Sequence, residues 1–219
     1  MKALYFTQAE LEVMLELSGG AAHTLYRLEP PPDDAALIEA FASLYQRGFL
    51  TRTESGLTPT ARGGFFRDIS RAPLAVALTM RHLRERAALC YCDGETVWVC
   101  EYLRTALSTR TRLSRIPVEN METWLFETEI LPPPVLTDAD AGECLRTWSG
   151  ETNPDSLRLR LERYRNGGEL LGTYEVLSGD GLPLIRSRQG GQTSVSLYTV
   201  EALRAMLAHC FRKDSYQTL

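Results

Sequence analysis

Five cysteines, Cys90, Cys92, Cys100, Cys144 and Cys210, are the side chains of this 219-residue sequence best suited to hold a metal or do redox chemistry. A zinc site needs thiolates or imidazoles that converge on one point. Cys90 and Cys92 end an apolar run at Asp93-Gly94, a pair suited to a tight hairpin turn. Folding the chain there as a two-residue loop places Cys92 opposite Glu95, Cys90 opposite Val97 and Cys100 opposite Ala87. Cys90 and Cys92 then share one face with Val97 and Val99. Cys100 lies on the other face with Leu89, Tyr91, Trp98 and Tyr102. Thiolates on opposite faces of a pleat cannot converge, so these cysteines read as buried free thiols, with no metal and no cofactor. A hairpin apolar on both faces must be covered on both.

The other chemical motifs fail on spacing. Asp138-x-Asp140 begins like a calcium loop, which then needs Gly at 143 and an acid at 149; the sequence has Glu143 and Ser149. There is no phosphate-cradling glycine motif and no nucleophile elbow. His23, His82 and His209 are the only histidines, and none stands at ligand spacing to another. The reading is a protein that is not an enzyme.

Three arginine pairs remain: Arg110 with Arg112, Arg158 with Arg160, and Arg186 with Arg188. Each pair stands two apart in a strand-like segment, so its members share a face. Within Leu157-Arg-Leu-Arg-Leu161 the alternation is strict, with Leu157, Leu159 and Leu161 inward and Arg158 and Arg160 outward. A solvated sheet face accounts for such rows. The functional reading is a basic sheet face for an acidic, helical protein partner.

Several elements must position these residues. Thr7-Gln-Ala-Glu10 is a capping box opening a helix. A short helix is expected over Ala22–Leu28. Asp33 or Asp34 caps a second long helix with an apolar stripe of Leu37, Ile38, Phe41, Leu44 and Tyr45. A small hairpin follows around Glu54-Ser55-Gly56, then a helix that stops before Pro73. From Pro73 the pattern changes to period two. Strands are predicted over Leu74–Met80, Ala87–Cys92, Thr96–Leu103 and Thr109–Ile116, and a helix after Pro117. A short helix is expected over Asp138–Trp148. Strands return over Leu157–Tyr164, Glu169–Leu177, Leu182–Arg188 and Thr193–Tyr198, followed by a final helix with Leu203, Met206, Leu207 and Cys210. Trp98 and Trp124 are both expected in the core.

The expected fold class is α+β: a helical region over 1–72, then an antiparallel sheet in two repeated ββββα halves, 73–131 and 132–219. The halves echo each other in Pro117-Val-Glu-Asn-Met121 and Thr199-Val-Glu-Ala-Leu203.

The first region resembles a winged helix. Leu44-Tyr-Gln-Arg-Gly48-Phe-Leu-Thr-Arg followed by Leu57-Thr-Pro-Thr is similar to the passage from recognition helix to wing in winged-helix regulators. That resemblance implies DNA binding, but the charges oppose it. The polar face of the helix is read as Asp34, Ala36, Glu39, Ala40, Ser43 and Gln46, with Arg47 alone basic at its end. Acids there repel phosphates. The net charge of −4 and pI near 5.5 point the same way.

Phe6-Thr-Gln-Ala-Glu-Leu-Glu-Val-Met-Leu-Glu-Leu17 resembles the start of EspG-type chaperones of type VII (ESX) secretion. The tail is similar too, through Gly172-Thr-Tyr-Glu-Val-Leu-Ser-Gly-Asp-Gly181 and Thr199-Val-Glu-Ala-Leu-Arg-Ala-Met-Leu207. The resemblance implies a pseudo-two-fold antiparallel sheet and the holding of helical secretion substrates. It carries over no binding-site residue. With no signal-peptide pattern and no long apolar run, a cytoplasmic location without membrane contact is expected. The leading reading is a non-enzymatic adaptor or secretion chaperone, with Arg110, Arg112, Arg158, Arg160, Arg186 and Arg188 as the partner surface. The alternative is a winged-helix transcriptional regulator with a C-terminal ligand-sensing or dimerisation region. The oligomeric state is left open.

Overall fold

The capping box at Thr7 forms as its sequence predicts. The Thr7 hydroxyl accepts from the Glu10 backbone N–H at 3.1 Å, and the Glu10 carboxylate accepts from the Thr7 N–H at 2.9 Å. The computed structural model describes residues 4–19, 32–80, 87–104, 109–134, 136, 156–165, 168–179 and 182–212. The expected short helices over 22–28 and 138–148 lie outside the described residues.

The chain is α+β. In order it forms β1 (Leu4–Phe6), α1 (Gln8–Leu17), α2 (Asp34–Gln46), β2 (Leu50–Thr53), β3 (Gly56–Pro59) and α3 (Phe65–Arg71). Then come β4 (Leu74–Met80), β5 (Ala87–Cys92), β6 (Thr96–Arg104), β7 (Thr109–Pro117) and α4 (Met121–Glu127). The last elements are β8 (Leu159–Arg165), β9 (Leu170–Gly179), β10 (Leu182–Gln189), β11 (Gln192–Leu197) and α5 (Val200–Phe211). Nine strands make one antiparallel sheet in the order β1-β7-β6-β5-β4-β8-β9-β10-β11, and β2 and β3 form a separate hairpin.

The two halves, β4 to α4 and β8 to α5, meet through their first strands, which pair antiparallel from Leu74↔Arg165 to Met80↔Leu159. Antiparallel joining of like strands gives a pseudo-two-fold axis through the sheet between β4 and β8. Such an axis keeps α4 and α5 on one face. Their Met121, Leu125, Leu203, Met206, Leu207, Cys210 and Phe211 pack there with Val76, Leu78, Val99, Leu159 and Leu161.

The opposite face of the first half is covered by the N-terminal module, α1 to α3. Its core joins Met14, Leu44 and Phe66 to Ala77, Leu89, Trp98, Cys100 and Leu113 of the sheet. Phe65 stacks on Trp98 at 5.1 Å, and Phe6 packs edge-on to Phe49 and Phe66. Trp98 is buried as expected, whereas Trp124 is half-buried at the margin of the other core.

Three expectations are corrected. The 93–96 turn centres on Gly94-Glu95, so Cys92 opposes Val97, Cys90 opposes Val99, and Cys100 opposes Leu89. The Asp93 carboxylate sets this turn by accepting from the Glu95 and Thr96 N–H groups at 2.9 and 2.7 Å. The slip is two residues, so every side chain keeps its expected face. In α2, Ala40 is buried with Leu44, and Ile38 and Tyr45 point to solvent, 70% and 53% exposed. The helix is rotated from the expected stripe because Ser43 and Arg47 turn inward to reach Glu10. The third is β1, which the sequence reading missed: three residues carry no readable period, and their strand character comes from pairing with Thr111–Leu113.

Candidate functional site: the arginine rows

Alternation along the strands, combined with the pairing register, places the five arginines that lie within strands. Arg110 and Arg112 on β7 share the α4–α5 face with Glu101 and Ser114. Arg160, Arg186 and Arg188 lie on the opposite face, the one that carries the module in the first half. Arg158 was expected to share that face with Arg160, but it stands just before β8, where its N–H donates to the carbonyl of Val176, the residue that Leu159 opposes, so strand alternation does not reach it. The six therefore do not form one basic surface. Equal parity within a pair is local, but which face two distant strands share depends on the ladder between them.

Arg112 is committed to structure. Its Nε donates to the Glu101 carboxylate at 2.6 Å, on a side chain only 6% exposed. Arg110 stands apart at the sheet margin, where it rims an open cleft of about 450 Å³ with Tyr5, Glu10, Ser43 and Arg47.

The second-half row is built around Glu175, 2% exposed. Arg160 opposes Glu175 across β8–β9, and Arg186 opposes it across β9–β10. Arg160 donates to Oε1 from Nη2 at 2.7 Å and from Nε at 3.1 Å. Arg186 donates to Oε2 from Nε at 2.7 Å. Burial pushes the Glu175 carboxyl up, but hydrogen bonds and charge from Arg160 and Arg186 outweigh it and hold the group below its ordinary value. Arg158 and Arg188 are exposed and form no ion pair with a described residue.

The pseudo-symmetry shows what this row replaces. Aligning Pro117-Val118-Glu119 with Thr199-Val200-Glu201 makes Leu113 equivalent to Val195. Following the ladders inward, Leu113–Cys100–Leu89–Ala77 in the first half corresponds to Val195–Arg186–Glu175–Arg160 in the second. The first row is apolar, buried and covered by the module. The second is charged, with Arg160 42% and Arg186 20% exposed. Among the described residues no helix covers it. One end of this face is apolar, where Leu177, Leu184 and Leu197 pack with Leu136. The repeated Val-Glu in the sequence was the available signal for this equivalence; the cross-strand partners were not readable from it.

The module offers little to nucleic acid. The exposed residues of α2 are Asp34, Ala35, Ile38, Glu39, Ala42, Tyr45 and Gln46. Arg47 donates to Glu10 at 2.8 Å and to the Tyr5 carbonyl at 2.7 Å, and lies over the Phe6 and Phe49 rings. Arg62 donates to the Arg47 carbonyl at 2.9 Å and also lies over Phe49. Both guanidinium groups lock the module together.

Cys90 and Cys92 face α5, and Cys100 faces the module, as the parity argument required. Cys210 joins the first two from α5. Burial pushes the Cys90 and Cys92 thiols well up, Cys210 likewise, and Cys100 to about 12. A raised thiol stays protonated at neutral pH and is a poor nucleophile. Iodoacetamide at pH 7.5 should therefore leave Cys90, Cys92, Cys100 and Cys210 unmodified in peptide mass spectra until denaturant is added. Rapid native labelling of Cys90 or Cys92 would contradict their burial.

No protein-family model matches the chain, and no curated protein matches it. No helix among the described residues is long and apolar enough to cross a membrane.

Proposed function

We propose that this chain is a non-enzymatic adaptor, a chaperone-like protein that holds an acidic, helical protein partner on the arginine-bearing face of its second half. One observation carries the reading. Three helices cover the module face of the first half, while the pseudo-equivalent face of the second has no helix among the described residues and displays Arg188 beside the Arg160–Glu175–Arg186 row. A partner helix with acidic residues there would match the exposed cation and complete the symmetry of the layers. The resemblance of both chain ends to EspG-type chaperones supports type VII secretion as the setting and a cytoplasmic place of work. The regulator alternative lacks comparable support, because acids, not bases, line exposed α2 and because Arg47 and Arg62 are internally bound.

The test separates the exposed arginine from the bound ones. Replacing Arg188 by Ser should leave stability within about 0.5 kcal/mol. The tagged variant should lose the partner that the wild-type chain retains from its own cells. Association of that partner with wild type should slow as salt rises, with a smaller change in dissociation. Equal retention by wild type and variant would remove the arginine face from the function, and a defined DNA operator found by selection would favour the regulator instead.

A further inference from the structure

The two edges of the nine-stranded sheet are treated differently. The β1 edge is three residues long, and the Arg47 guanidinium donates to its Tyr5 carbonyl. Shortness and a bound guanidinium both discourage further pairing. The β11 edge, Gln192-Thr-Ser-Val-Ser-Leu197, has no charge, no proline and no bulge against β10. Gln192, Thr193 and Ser194 are exposed. Pseudo-symmetry sharpens the contrast. β11 corresponds to β7, whose outer side is occupied by β1; along Gln192–Leu197 no described strand pairs with the outer side of β11, and only past its end does Leu136 form a parallel bridge, with Thr199.

Hydrogen-bond parity identifies the open groups. Gly190 and Gly191, at φ +53° and +80°, form a two-residue turn closed by Gln189↔Gln192. At the other end the Tyr198 N–H donates to the Pro183 carbonyl. Both observations put the even-numbered residues in hydrogen-bonded pairs with β10. Thr193, Val195 and Leu197 therefore turn their backbone groups outward. The Leu197 carbonyl is already taken by the Thr199 N–H, which, among the described residues, leaves Thr193 and Val195 with both groups open.

We propose that β11 pairs with β11 of a second copy of this chain, antiparallel about a two-fold axis at Ser194. The partner is a second copy because this register is self-complementary. Thr193 of each chain faces Val195 of the other, and the two pairs use all four open N–H groups and carbonyls. A two-fold centred on Thr193 would match Val195 to Gly191, which sits in the turn. One centred on Val195 would match Thr193 to Leu197, whose carbonyl is engaged. No like charges meet at the axis, since β11 carries none. The halves of each chain join by antiparallel pairing of like strands, and the dimer repeats that joint at the outer edge.

The full-length chain in the analytical ultracentrifuge tests this without any partner protein. Wild type should show a dimer whose fraction rises with concentration. Thr193→Pro removes one outward N–H and leaves the β10 ladder intact, so it should be monomeric with unchanged circular dichroism. A wild type monomeric at every concentration, or a Thr193→Pro variant that dimerises equally, overturns the proposal. Should Thr193→Pro fail to fold, cysteine cross-linking decides. Ser194 and its copy form a non-hydrogen-bonded pair about 4.5 Å apart at Cα, within reach of a disulfide. Two copies of Gln192 are separated by four residue rises, about 13 Å, which is out of reach. Mild oxidation should link Ser194→Cys into a dimer on a non-reducing gel, beyond any product from wild type or Gln192→Cys. No link at 194, or equal linking at 192, overturns the register.

Discussion

Leu161→Ala should lower the unfolding free energy by about 2–5 kcal/mol, measured by urea denaturation. Leu161 is fully buried on the α4–α5 face, opposite Leu78 on β4 and Tyr174 on β9. It lies in the middle of the core that both halves share, so neighbours on both sides restrict collapse of the cavity. Two residues further, the same face carries Arg163, 3% exposed, whose Nη2 reaches the Arg212 carbonyl at the end of α5. The strand therefore holds the second half to α5 both by packing and by a cation at a helix C-terminus. Arg188→Ser, exposed on the other face, should change stability by less than about 0.5 kcal/mol. A harmless Leu161→Ala beside a destabilising Arg188→Ser would invert the assignment of the two faces.

Glu175→Gln should cost about 1–3 kcal/mol, because it removes the charge that two guanidinium groups share and leaves them imperfectly paired. The figure stays below that for a fully buried pair, since Arg160 is 42% and Arg186 20% exposed. The effect has a pH signature. The folded Glu175 carboxyl is held below its ordinary value, so its contribution is fully present above the unfolded carboxyl value of about 4.3. It is lost as pH falls through the lower folded value. The stability gap between wild type and Glu175→Gln should thus be constant near neutrality and close in acid. A gap that persists unchanged in acid would assign the loss to packing instead. Arg160→Ser should also destabilise, which separates Arg160 from its exposed neighbour Arg158.

The local patterns of the sequence were enough to place β4 to β11 within about two residues, to mark Thr7 as a helix cap and narrow the next to Asp33 or Asp34, of which Asp33 serves, and to reveal the repeated ββββα order. They also put Cys90 and Cys92 on one face and Cys100 on the other, because a register error of two residues leaves parity intact. Periods of two and 3.6 are properties of neighbouring residues, and neighbouring residues are what a sequence displays. The partner of Glu10 was beyond such reading. It appeared as half of a capping box, yet its carboxylate also accepts from Ser43 and Arg47, more than thirty residues away, and that contact turns α2 so that Ile38 and Tyr45 face solvent. The same holds for the arginines. Arg110 with Arg112, and Arg186 with Arg188, were correctly seen to share a face, but only the nine-strand ladder sends the first pair to one side and Arg160, Arg186 and Arg188 to the opposite side. Only that ladder sets Glu175 between Arg160 and Arg186, and leaves Arg158 and Arg188 exposed. Which charges neutralise one another is decided by cross-strand register, and register is fixed by the packing of both faces together.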